Sequence, residues 1–118
     1  MVPKEISDFS SLTRIQVETL EIHHDVLNGE INMDVALTKR KNSGISRGTH
    51  YRIVGQAKKN VLQSLFTVAI GVQMGILKSE DVQKLISTVS MIPESVDQER
   101  LPELVALVRA IAGRIVML

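Results

Sequence analysis

The sequence predicts an all-α fold, and three observations carry that prediction. Apolar residues recur at helical steps of three and four along most of the chain. No stretch of convincing length alternates with the period of two that a half-buried strand requires. Asn28-Gly29, Gly75 and Pro93 stand where the periodic segments break off. With 118 residues, 44% hydrophobic and 23% charged, the chain has the size and make-up of one domain rather than of a disordered tail.

The first helix is expected to start at a Ser10 or Ser11 cap. Its apolar side holds Leu12, Ile15, Ile22 and Val26, helped by Leu20 and Leu27, and its polar side Arg14, Glu18, Glu21 and Asp25. Asn28-Gly29 ends it, since both residues tolerate the left-handed backbone of a helix stop. A short second helix is expected from about Asn32 to Arg40. The third element begins after Asn42-Ser43-Gly44 and runs to Met74, either as one long helix or as two that meet near Gly55; periodicity does not choose between them. Gly75 stops it. Ser79-Glu80-Asp81 offers a cap and two acids for the next helix, whose buried face would be Val82, Leu85, Ile86 and Val89, and Pro93 closes it. Pro102 opens the last helix, with Leu104, Leu107, Val108, Ile111, Ile115 and Leu118 along one stripe.

Residues 61–77 carry no charge, and eleven of the seventeen are apolar. Membrane spans need about twenty predominantly apolar residues, and Gln63, Ser64, Thr67 and Gln73 interrupt this shorter run. The expectation is a helix buried on most of its sides within a protein, with no membrane partner. Together with the stripe of the last helix it holds more apolar surface than the first two helices can cover. A homodimer formed through the residues after Val61, the last helix included, would hide the excess.

Composition removes several classes of function. There is no cysteine, so disulfides, thiolate metal sites and cysteine nucleophiles are excluded, in keeping with a reducing cytoplasm. The N-terminal residues lack the basic-then-apolar pattern of a secretory signal. Net charge is only +1, but it is unevenly placed: residues 1–37 hold two basic against seven acidic side chains, whereas residues 38–60 hold Lys39, Arg40, Lys41, Arg47, Arg52, Lys58 and Lys59 and no acid. A cationic block of this kind favours a polyanion, because each neutralised phosphate releases condensed counterions. Its bland alternative is a solvated basic face.

Within that block lies Gly44-Ile45-Ser46-Arg47-Gly48-Thr49-His50-Tyr51-Arg52-Ile53-Val54. The stretch resembles the turn and recognition helix of helix-turn-helix DNA-binding proteins, in the GxSxxTxYR form of resolvase and invertase DNA-binding domains and of small prokaryotic or archaeal regulators. The resemblance implies an N-terminal helix-turn-helix unit over about residues 10–60, followed by a helical core and dimerisation part over 61–118. Gly44 would take the turn, Ser46 would cap the recognition helix near Thr49, and Ile45 and Ile53 would lock it onto the two helices before it. Arg47, Gly48, Tyr51 and Arg52 would face the DNA. The chain departs from the family at Lys39-Arg40-Lys41-Asn42-Ser43, where an alanine and apolar neighbours are usual, and at His50, a place usually apolar.

The residues support the same face independently. At about 100° per residue, Arg47, Tyr51, Arg52, Gly55, Lys58 and Lys59 share one broad side, and His50, Ile53, Ala57, Val61 and Leu65 the other. Gly48 and Gly55 would let a sugar-phosphate backbone or a partner helix approach, or they merely weaken the helix by about 1 kcal/mol each. Catalytic signals are poor. His23 and His24 are adjacent and diverge on a helix, Ser46 and His50 lack a local acid to orient the imidazole, and Gly44 to Gly48 lacks the Gly-Lys-Ser/Thr of a phosphate loop.

The expectation from sequence is therefore a non-enzymatic, cytoplasmic and nucleoid-associated regulator without cofactor or metal, binding duplex DNA as a homodimer. Lys39, Arg40, Lys41, Ser46, Arg47, Gly48, Thr49, Tyr51, Arg52, Lys58 and Lys59 would form the interface, the lysines acting mainly on phosphates. The alternative is a protein-interaction adaptor or nucleoprotein component whose basic segment docks on an acidic partner or RNA.

Overall fold

The computed structural model describes Val2 and residues 4–38, 45–92 and 99–116. Among them are six helices and no strand: α1 (Lys4–Ser7), α2 (Arg14–Leu27), α3 (Met33–Thr38), α4 (Arg47–Met74), α5 (Ser79–Ser90) and α6 (Leu101–Ile115). The chain divides into two compact units, Val2–Leu62 and Gln63–Leu118.

In the first unit, α1 is a single turn that the periodicity does not announce. The cap of α2 is Thr13 rather than Ser10 or Ser11. The Gln16 amide donates to Thr13 Oγ1 and the Thr13 amide to Gln16 Oε1, both at 3.1 Å, so two otherwise orphaned donors are satisfied reciprocally. The two serines are engaged elsewhere: Ser10 Oγ donates to the Ser7 carbonyl at 2.7 Å, and Ser11 Oγ to Asn60 Oδ1 at 2.7 Å. Leu12 consequently precedes α2, and Ile15 and Leu27 stay exposed, leaving Ile22 as the buried apolar residue of that helix. Gly29 ends α2 with φ of +75°, the Glu30 amide closing back on the Asp25 carbonyl at 3.0 Å.

Asn32 Oδ1 accepts from the Val35 amide at 2.9 Å and starts α3, which packs on α2 through the buried Met33 and Ala36. Its expected continuation to Arg40 falls on residues outside the described ones. The next element is one helix, not two: α4 runs 28 residues, about 42 Å, straight through Gly55. Its first half supplies the buried His50, Ile53, Val54 and Ala57, which with Thr19, Ile22, Met33 and Ala36 form the core of this unit. The buried Thr19 hydroxyl is satisfied within its own helix, donating to the Ile15 carbonyl at 2.7 Å.

The second unit has a thin core. Ile115 is its one buried large apolar side chain among the described residues. Gly75 turns the chain with φ of +78°, and the amides of Ile76 and Leu77 both close on the Gly71 carbonyl, at 3.0 and 3.1 Å. That turn lays Leu77 over Gly71, where an added Cβ would meet Leu77 Cδ1 at 2.7 Å. Helix α5 has Lys78, not Ser79, at its N-cap and no side-chain cap, while Glu80 and Asp81 do occupy its first turn. It packs against α6. Val82 and Leu85 are half-buried, but Ile86 and Val89, expected on the same buried face, are exposed. On α6, Leu104, Val108 and Ile111 are half-buried and Leu107 is exposed.

Within one copy, the expected burial is not found over residues 61–70, while Gly71 is buried and Val72, Ile76 and Leu77 are half-buried. Every residue from 61 to 70 is exposed, with Leu65 and Phe66 each 63% open. Hydropathy alone does not bury a helix; it needs a neighbour, and this segment has an apolar side that the chain does not cover.

Candidate nucleic-acid interface

The N-terminus of α4 is built by Ser46. Its Oγ accepts from the Thr49 amide at 3.2 Å and donates to Thr49 Oγ1 at 3.1 Å, and its carbonyl accepts from the His50 amide at 3.0 Å. Ser46 and Thr49, both expected in the interface, are thus occupied with holding the helix start. The first turn of the helix is thereby fixed.

Seen down the helix, α4 separates into two sides between Arg47 and Lys59. His50, Ile53, Val54 and Ala57 face the core, although Val61 and Leu65, expected to extend that inner side, are exposed. Arg47, Lys58, Tyr51, Gly55, Gly48, Lys59 and Arg52 follow one another around an exposed arc of roughly 140°. The two glycines lie at its middle with cations to either side. A Cβ on Gly55 would meet nothing within 4 Å, and one on Gly48 only Ser46 Oγ at 3.9 Å. No intramolecular packing therefore calls for glycine at either place, although each weakens the helix by about 1 kcal/mol.

Three contacts hold this side in position. Arg47 Nη2 donates to Asp34 Oδ1 at 2.6 Å, tying the first turn of α4 to α3. That hydrogen bond, reinforced by the opposite charge, pushes the Arg47 pKa up from its already high value and keeps the guanidinium charged. His50 is fully buried, its Nε2 lying 3.4 Å from Nδ1 of His23 on α2. Tyr51 stands edge-on to both imidazoles, with ring centroids 5.7 Å from His50 and 6.0 Å from His23, so the exposed phenol rests on a packed base. At the far end Asn60 Nδ2 donates to the Ser11 carbonyl at 2.8 Å while its Oδ1 accepts from Ser11 Oγ.

Asp34, His23 and Asn60 have no counterpart among the residues predicted for the interface. His50 was legible as a departure from an apolar place, and the imidazole opposite it explains why a polar ring is tolerated there. The other partners lie 13 and 49 residues away along the chain, beyond what local spacing registers. Lys39, Arg40 and Lys41, with the turn residue Gly44, lie outside the described residues.

Among the described residues no three His, Asp or Glu side chains gather as a metal site would require, and no helix is long and apolar enough to cross a membrane. No family model, curated protein or solved structure matches this chain. The likeness to helix-turn-helix proteins therefore rests on the sequence: on the eleven residues from Gly44 to Val54 and, in overall layout, on the stretch from Leu12 to Val54.

Proposed function

We propose that this protein binds duplex DNA as a homodimeric transcriptional regulator, with the exposed side of α4 from Arg47 to Lys59 as its recognition surface. The observation that carries the reading is the pair of glycines, Gly48 and Gly55, in the middle of a cationic side, with open space above Gly55 and only Ser46 Oγ near Gly48. A sugar-phosphate backbone approaches a helix closely where side chains are absent, and Arg47, Arg52, Lys58 and Lys59 flank the gap as phosphate or base-edge partners. Arginine suits the base edge, because its planar fork pairs bidentately with guanine. The GxSxxTxYR resemblance supports the same side and the same orientation.

A second reading draws on the Arg47–Asp34 pair. A guanidinium that already holds a carboxylate at 2.6 Å is a model for docking on an acidic protein or a nucleoprotein. One titration separates the two. Random-sequence duplex should bind, and its affinity should fall with a log–log salt slope of about −3.6 per copy if the four cations each neutralise a phosphate. That is a loss of roughly a hundredfold between 50 and 200 mM salt. A chain that ignores naked duplex at both concentrations is not a DNA-binding protein, and capture of an acidic peptide or RNA instead would favour the adaptor.

A further inference from the structure

The homodimer in that reading is expected through the residues after Val61, the last helix included, and the structure narrows the choice. The stripe of α6 is already partly used: α5 packs against α6, Leu104, Val108 and Ile111 are half-buried, and Ile115 is 5% exposed. The C-terminal half of α4 is not used in this way. Leu65, Phe66, Ala69, Ile70, Gln73 and Met74 spread over roughly 180° of the helix and are all exposed.

We infer that this face of α4 pairs with the same face of a second copy of the chain, across a two-fold axis close to Ala69 and Gln73. Three features favour a second copy over an unrelated partner. The segment from 61 to 77 holds no ionisable side chain, so it offers nothing for a charged partner to complement, and pairing it with itself brings no like charges together. The polar residue at the middle of the arc is Gln73, whose amide both donates and accepts and is therefore its own complement across a two-fold axis. The area reaches the low end of what a specific interface needs. Leu65, Phe66, Ile70 and Met74 are 55 to 70% open, and at roughly 200 Å² for a large side chain the four offer at most on the order of 500 Å² per copy, about 1,000 Å² in total, with Leu65 and Met74 at opposite edges of the face. Ala69, small and one turn before Gln73, lets two backbones approach.

The absence of cysteine makes a clean test possible. The full chain is measured by light scattering at about 10 μM without DNA, so that the outcome does not depend on DNA binding; twice the 13.1 kDa of the chain is expected. Leu65→Asp should raise the dimer dissociation constant at least about a hundredfold, because each copy then buries an uncompensated carboxylate against the other's apolar face. Leu107→Asp on α6 should leave the dimer intact. Ala69→Cys should form an interchain disulfide on mild oxidation within minutes, and Ser87→Cys on α5 should not. The cysteine pair still decides the matter if Leu65→Asp fails to fold. A monomeric parent, an open series of larger species, or a dimer broken by Leu107→Asp and not cross-linked through Ala69→Cys would each overturn the assignment.

Discussion

The two halves of α4 invert what hydropathy leads one to expect. Residues 47–59 carry four of the cations, yet they bury His50, Ile53, Val54 and Ala57. Residues 61–70 carry no charge, yet all ten are exposed. The difference lies in the company each half keeps. The first half has α2 and α3 beside it, with His23, Asp34 and Ser11 reaching across. The second offers apolar side chains to a space the described residues leave open. Burial is a property of a neighbour, and periodicity identifies the face without identifying what lies against it.

The largest effect that sharpens this contrast should come from the charged half. Replacing Arg47 and Arg52 together by alanine is expected to cost on the order of a hundredfold or more in duplex affinity, as read by fluorescence anisotropy, with the helical circular dichroism unchanged. A folded double mutant that binds like the parent would remove α4 from the interface. Next come the buried and exposed large side chains. His50→Ala should lower the urea-unfolding free energy by about 2–4 kcal/mol, since it opens a cavity and strands His23. Phe66→Ala, measured at dilutions that keep the chain monomeric, should stay within about 0.5 kcal/mol. Equal costs at the two positions would mean that the second half is covered after all.

Glycines give a smaller and opposite-signed comparison. Gly55→Ala should stabilise the protein by about 0.5–1 kcal/mol in the same unfolding assay while weakening duplex binding, because the new methyl stands in open space. Gly71→Ala should gain none of this, since its methyl lands on Leu77. A Gly55→Ala variant that is stabilised and binds as before would show that the gap serves no partner. The smallest effect concerns single charges. Asp34→Asn removes a repelling carboxylate beside Arg47 and should strengthen duplex binding a fewfold, whereas Lys59→Ala should weaken it and flatten the salt slope by about one. Two changes in the same direction would contradict a phosphate-facing role.

Much of the fold is legible in the chain. Gly29 and Gly75 announce their helix ends because a positive φ suits glycine, and the order and type of the five longer helices follow from periods of three and four. The start of α2 is misread because three hydroxyl residues compete, and only Thr13 has a Gln three positions on to close the box. That signal was available. The outward placement of Arg47, Tyr51, Arg52, Lys58 and Lys59 also follows from the pattern. What does not follow is every contact spanning a loop: the Asp34 carboxylate on Arg47, the imidazole on His50, the amide on Ser11. These depend on how helices are set side by side, which no local spacing encodes.

The Asn60 clasp and the Leu77 cover on Gly71 bracket ten consecutive exposed residues of α4. In a lone chain that stretch is held mainly by its own helical hydrogen bonds, so its backbone should open locally far more often than the core beside His50 does. Amide protons from 61 to 70 should then exchange with deuterated solvent quickly in dilute protein and slow down as concentration rises, while those from 50 to 57 keep one rate throughout. If a second copy seats there, the helix is finished by association, its second half becoming long-lived only in the pair.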